Sequence, residues 1–124
     1  MSASFILKSA VFLGSTGIGL GAFGAHGLRG MQGITERQIE NWSTASKYQQ
    51  FSALAMLSLY AISNSPAIRP RNLKTSAVLM FAGTLMFSGS IYCLVLNRER
   101  FRFMGPITPL GGLTLIAGWI ALVL

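Results

Sequence analysis

The chain has 124 residues, room for one domain, and only 10% of them are charged against 52% hydrophobic. A water-soluble globular domain carries about 25% charged residues, so the composition and a mean hydropathy of +0.55 exclude that class. The net charge of +7 does not point to nucleic acid either. The cations stand in short clusters (Arg69, Arg71 and Lys74, then Arg98, Arg100 and Arg102) at the margins of apolar stretches, where they meet anionic headgroups and bias topology.

Residues 9–28, 48–68, 75–97 and 103–124 contain no Lys, Arg, Asp or Glu. About 20 apolar helical residues cross a bilayer core. The pattern therefore predicts an all-α membrane protein, one domain over 1–124, with four transmembrane helices in a bundle at about 4–27, 36–63, 73–96 and 108–124. An even number of spans puts both termini on the same side. Four cations on that side against six on the other, the latter diluted by all three acids, leave the orientation open.

In helix one, Gly14, Gly17, Gly21 and Gly24 are spaced 3, 4 and 3, which places them on one face where a neighbouring backbone can come close. Six glycines and the lack of a cleavage motif make this stretch a retained helix rather than a signal peptide. Helix two is expected to start at Thr35 as N-cap, with Glu36 favoured at the positive end of the dipole. Its first part, Glu36 to Lys47, mixes charge with Ile39 and Trp42 and is expected at the membrane interface, with Trp42 and Tyr48 as anchors. Asn64, Ser65 and Pro66 end it, and Pro70 keeps the linker non-helical.

Helix three is the cleanest span. Helix four is expected to open with Thr108 as N-cap and Pro109 at the first helical position. Gly111, Thr114, Gly118 and Ala121 repeat the 3, 4, 3 spacing of helix one. Helices one and four are thus the candidates for close mutual packing, and the glycine stripe of helix one is expected to lie against helix four or a partner, never against lipid. Trp119 is expected to anchor the opposite interface.

The chain holds no aspartate, and Glu36, Glu40 and Glu99 all lie outside the charge-free stretches. Without an intramembrane carboxylate there is no proton relay, metal ligand or general base of that kind. One histidine and one cysteine do not make a metal site, and a Ser/His pair would lack a third residue to orient the imidazole. Cys93 has no cysteine to pair with and is expected to be a buried, inert thiol. No enzymatic activity, cofactor or metal is expected. His26, near the end of helix one, is expected at the interface, bonded to a neighbouring carbonyl or water, with a ligand or proton site as the sharper alternative. Antiparallel packing brings that end towards Gln49 and Gln50, with Ser52 one turn beyond. Tyr92 and Asn97 close helix three on the same side, and Thr108 opens helix four there, so polar residues gather at one leaflet.

Several strings follow one another in a distinctive order: Gly21-Ala22-Phe23-Gly24-Ala25-His26, Tyr48-Gln49, Phe87-Ser88-Gly89-Ser90-Ile91-Tyr92, Thr108-Pro109-Leu110-Gly111-Gly112 and Ala117-Gly118-Trp119. On these the chain resembles, over nearly its whole length, the transmembrane protein 256 family (domain of unknown function 423), small four-helix membrane proteins of bacteria and mitochondria. The resemblance implies four helices and membrane residence, and no reaction. It also suggests a shared polar cluster of His26, Gln49, Ser52, Tyr92 and Thr108, either a structural lock or a ligand site. Many members carry a histidine where this chain has Ser52, so a paired-histidine relay loses its second member.

The missing catalytic groups, the small size and the small-residue faces direct the sequence reading to an accessory subunit of a larger membrane assembly. A chain that stops at the end of helix four, as mitochondrial-type members do, directs it further, to a respiratory-chain complex of the mitochondrial inner membrane. The expected partners are the lipid bilayer, other membrane-protein subunits and phospholipid bound at the basic loops, with no nucleic acid. The alternatives are a small-solute transporter or channel, and a free-standing lipid-organising protein of a bacterial plasma membrane.

Overall fold

A computed structural model describes residues 3–67 and 70–124. Arg69, counted above in the second loop, lies outside the described residues. Four helices follow one another: α1 (Ala3–His26), α2 (Glu36–Ser63), α3 (Leu73–Leu96) and α4 (Ile107–Ala121), with single 3-10 turns at Leu28–Gly30 and Arg102–Met104. Among the described residues there is no strand.

The helix ends follow from local chemistry. Thr35 is extended, and its Oγ1 accepts from the Gln38 amide at 3.1 Å while Gln38 Oε1 accepts from the Thr35 amide at 2.9 Å. This capping box answers two donors that the first turn would otherwise leave unpaired. Just before it, Gly33 has φ +79°, a left-handed turn that a side chain would resist. At α4 the expectation needs correction. The N-cap is Pro106, with no side-chain cap, and the hydroxyl of Thr108 bonds Ser90 of α3 instead. Starting at Ile107 still leaves Pro109 within the first turn, where its missing N–H costs nothing. The far end comes earlier than expected, at Ala121.

Among the described residues, three segments are long and apolar enough to cross a membrane: Ala3–Gly30, Leu73–Leu96 and Arg102–Ala121. The longest helix, α2 with 28 residues, is not among them. A charge-free stretch is not the same as an apolar one. The stretch counted as the second span contains Gln49, Gln50, Ser52, Ser58, Ser63 and Asn64, and several of these turn inward, as described below.

Packing runs in chain order: α1 lies along α2, α2 along α3, and α3 along α4. The expected pairing of helices one and four is therefore corrected, because no packed interface joins them. Loops of about ten residues bring sequential neighbours together first, and each glycine stripe is filled by the adjacent helix. The main core draws on three helices, with Ile6 and Leu13 of α1, Met56 and Leu59 of α2, and Met80 of α3. A second cluster at the other end joins Leu28, Trp42 and Val95. Val11, Ile18, Leu54, Leu113 and Ile116 point outward and are exposed, the apolar surface that acyl chains would cover.

Candidate functional site

The groove that the glycines open on α1 is filled by α2. A methyl group on Gly17 would stand 3.0 Å from Gln50 Cγ, one on Gly21 2.8 Å from Ser46 Oγ, and one on Gly24 2.8 Å from Trp42 Nε1. Gly14 faces Ala53 at an ordinary 3.6 Å. With no side chains in the way, donors on α2 reach the second lone pair of α1 carbonyls whose first is engaged along the helix. Gln49 Nε2 donates to Leu13 O at 3.1 Å. Ser46 Oγ and Gln50 Nε2 both donate to Gly17 O, at 3.0 and 3.1 Å. Trp42 Nε1 donates to Leu20 O at 2.7 Å.

Gln49 carries this seam on to α3. Its Nε2 also donates to Thr16 Oγ1 at 2.6 Å, and its Oε1 accepts from the Tyr92 hydroxyl at 2.7 Å. Ser88 Oγ donates to Ala45 O at 2.7 Å. The Trp42 ring stacks obliquely between Phe23, at 5.4 Å, and Tyr92, at 4.6 Å. Among the described residues, no buried side-chain nitrogen or oxygen lacks a hydrogen-bond partner.

Of the five residues expected to cluster, only Gln49 and Tyr92 bond each other. His26 is exposed at the end of α1, with Nδ1 3.1 Å from Ala22 O of its own helix, and stands outside the seam. Ser52 is buried on α2 without a hydrogen bond to the other four. Thr108 pairs with Ser90 and ties α4 to α3 elsewhere. The depth also differs from expectation. Gln49 sits halfway along α2, against Leu13 and Thr16 halfway along α1, so this part of the seam lies midway along the two helices rather than at their ends. Trp42 is no interface anchor: it is only 2% exposed, because it fills the notch at Gly24. Tyr48 is half exposed and meets Phe87 edge-on. Trp119 is 45% exposed and packs on Phe51. Cys93 is half-buried rather than buried.

Thr16, Ser46 and Ser88 were not singled out as site residues from the sequence, and Trp42 was singled out only as an interface anchor, although Trp42, Ser46, Gln49 and Gln50 share one face of a helix at 4, 3 and 1 spacing. Gly83 was also missed. It stands where α3 and α4 come close, and a methyl there would meet the Leu115 amide nitrogen at 2.8 Å and Gly111 O at 3.0 Å. A methyl on Gly118 would meet the Met80 nitrogen at 3.1 Å. There Ser76 Oγ also donates to Gly118 O.

Beside the seam a cavity of about 250 Å³ opens between α1 and α3, walled by Phe12, Leu20 and Leu85 and reaching Thr16, Gln49 and Tyr92. Its polar groups are uncharged, and those of Gln49 and Tyr92 are engaged with each other. Among the described residues, no three of His, Cys, Asp and Glu come together as a metal site. The arrangement suits holding helices in register. Gln49→Leu should cost about 2 kcal/mol of stability, since it leaves the Tyr92 hydroxyl without its acceptor and takes the donor from Thr16 Oγ1 and Leu13 O. Tyr92→Phe should cost about 1 kcal/mol. The double variant should fall short of the sum by about 0.6–1.7 kcal/mol, the coupling of the lost bond. His26→Ala, outside the seam, should change little. Reversible unfolding of detergent-solubilised variants measures all four, and strict additivity of the Gln49 and Tyr92 changes would count against the seam.

Residues 20–112 match the family described as Protein of unknown function (DUF423). A UPF0382 membrane protein of Staphylococcus aureus (strain bovine RF122 / ET3-1) is 42% identical over 107 residues, covering 86% of this chain and 82% of that protein. One of Staphylococcus haemolyticus is 39% identical, with the same coverage of each chain. The UPF0382 membrane protein YwdK of Bacillus subtilis is 38% identical over 106 residues, again covering 86% and 82%. No solved structure matches the chain. The family match takes in Leu20 and the seam residues of α2 and α3, from Trp42 through Gln49 to Tyr92, together with the Gly83–Gly111 contact, while Leu13, Thr16 and Gly17 precede it. With three spans of membrane length and relatives that are themselves membrane proteins, the chain is an integral membrane protein and belongs to the DUF423 family.

Proposed function

We propose that the chain is a free-standing, non-catalytic protein of a bacterial plasma membrane that organises lipid around a rigid bundle. In this reading residues 1–124 form one domain, α2 is the fourth span, and both termini lie on the same side. The observation that carries it is the seam at Gln49: one amide donates twice and accepts once, all within the chain. Polar side chains turned inward and satisfied there let a helix of modest hydropathy stay in the membrane, since their hydrogen bonds are not left open in hydrocarbon. The seam acts as a structural lock. Gly14, Gly17, Gly21 and Gly24 admit α2, and Gly111 and Gly118 admit α3. The outward residues of α1, α2 and α4 are left as lipid contacts.

The bacterial relatives support this location over the mitochondrial inner membrane. Staphylococcus and Bacillus have no mitochondria, so an accessory subunit of a mitochondrial respiratory complex finds no support among them. Mass measurement of gently extracted full-length protein tests the reading. The expected result is the chain alone, as monomer or self-oligomer, carrying lipid. A stoichiometric foreign subunit would overturn it. The cavity beside Gln49 favours a second reading, a carrier of a small neutral solute. Flux in liposomes that disappears in Gln49→Leu, with the fold intact, would establish that one instead.

A further inference from the structure

At the end of the bundle where α3 finishes and α4 begins, a cavity of about 430 Å³ is lined by Arg98 and Arg102 together with Gln38 and Asn41 of α2. We propose that this cavity binds the phosphodiester headgroup of an anionic phospholipid, with Arg98 and Arg102 as its cationic ligands. The inference deepens the lipid-organising reading above and rests on it.

Charge selects the ligand. None of the chain's three carboxylates, Glu36, Glu40 and Glu99, lines the cavity. Among the described residues the one side-chain ion pair is Arg29 with Glu36, at 3.7 Å, which leaves both cavity arginines without a carboxylate partner. Two arginines lining one space carry guanidinium forks that match phosphate oxygens in geometry as well as in sign. The first turn of α4 forms another wall, through Thr108 and Pro109, and its positive end carries no side-chain cap. Gln38 and Asn41 add uncharged donors that suit headgroup hydroxyls.

Position selects the source. Below the arginines the lining turns apolar, with Ile91 and Leu94 of α3. These belong to the charge-free stretch 75–97, which ends immediately before Arg98. The cavity therefore straddles the boundary between cationic and hydrocarbon-facing surface, the depth at which a phospholipid places phosphate above acyl chain. A free phosphate ion would use the arginines and leave the apolar wall without an occupant.

The test is native mass spectrometry of the full chain in neutral detergent. The probes are palmitoyl-oleoyl phosphatidylglycerol, palmitoyl-oleoyl phosphatidylcholine and inorganic phosphate. The expected result is one phosphatidylglycerol retained in preference to phosphatidylcholine. Retention should weaken about thirty-fold in R98Q/R102Q, from about fivefold per cation near an anionic surface. The single variants R98Q and R102Q, each expected to lose about fivefold, carry the test if the double variant does not fold. R37Q/R100Q removes two cations from outside the cavity lining and should change retention by less than about twofold. An equal loss in R37Q/R100Q, no preference between the two lipids, or displacement of the lipid by equimolar inorganic phosphate would each overturn the proposal. The protein mass in the same spectra tests the broader reading separately. A lone chain without phosphatidylglycerol sinks only the site, whereas a foreign subunit sinks the reading.

Discussion

Gly111→Leu should separate α4 from α3 and be among the most damaging single substitutions in the protein, and even Gly111→Ala should lose stability. A methyl group at Gly111 would lie 2.9 Å from the carbonyl carbon of Met86 and against the amide nitrogen of Phe87, and backbone cannot rotate out of the way as a side chain can. Overpacking of this kind costs about 1–3 kcal/mol and sometimes more. It works against the gain of about 0.5–1 kcal/mol that alanine brings over glycine inside a helix. Gly89 supplies the control. It lies on α3 with nothing within 4 Å of a methyl, so Gly89→Ala should keep the propensity gain. The comparison is made by unfolding the detergent-solubilised variants side by side. If Gly111→Ala proved as stable as Gly89→Ala, the α3–α4 contact would not be as close as described.

Trp42→Ala should cost about 3–5 kcal/mol, the range for emptying a large aromatic site in a core. The indole fills the notch at Gly24, donates to Leu20 O, and stacks against Phe23 and Tyr92, so its loss loosens α1 and α3 together. Trp42→Phe keeps most of the apolar contact and forgoes the hydrogen bond, and should cost nearer 1 kcal/mol. A tryptophan at the interface would behave otherwise, with alanine costing little and phenylalanine almost nothing. Since the chain has two tryptophans, Trp119→Phe leaves Trp42 as the sole indole reporter. Its fluorescence should resist quenching by aqueous acrylamide in the folded protein and yield to it on unfolding. Ready quenching in the folded state would return Trp42 to the membrane surface.

These two residues illustrate how differently parts of the molecule could be read in advance. Gly111 was legible as a packing position because small residues recur at helical spacing. Trp42 was misread because a tryptophan near charged residues at the start of a helix looks like an interface anchor when its opposite face is unknown. His26 drew attention as the single histidine, yet it faces outward and bonds its own helix. Ser46 and Thr16, which the seam does use, are ordinary residues whose significance lies in what stands across from them.

The amino-acid sequence by itself determined the class, the helix count and most of the helix ends. Charge is so costly in hydrocarbon that the positions of thirteen charged residues mark out the long charge-free stretches, three of which fall in helical segments of membrane length, and Thr35 and Asn64 mark the ends of α2 through chemistry within a turn of each. Only the tertiary structure decided which helices pair and at what depth the polar residues meet. A stripe of glycines states that something approaches closely, not what approaches, and the stripes of α1 and α4 have the same spacing. Their partners differ because the donors that fit α1 lie on α2, at Trp42, Ser46, Gln49 and Gln50, while the backbone that fits α4 lies on α3 around Gly83 and Met86. Complementarity of that kind is a property of two surfaces in register, and register between helices is set by packing, which no single segment contains.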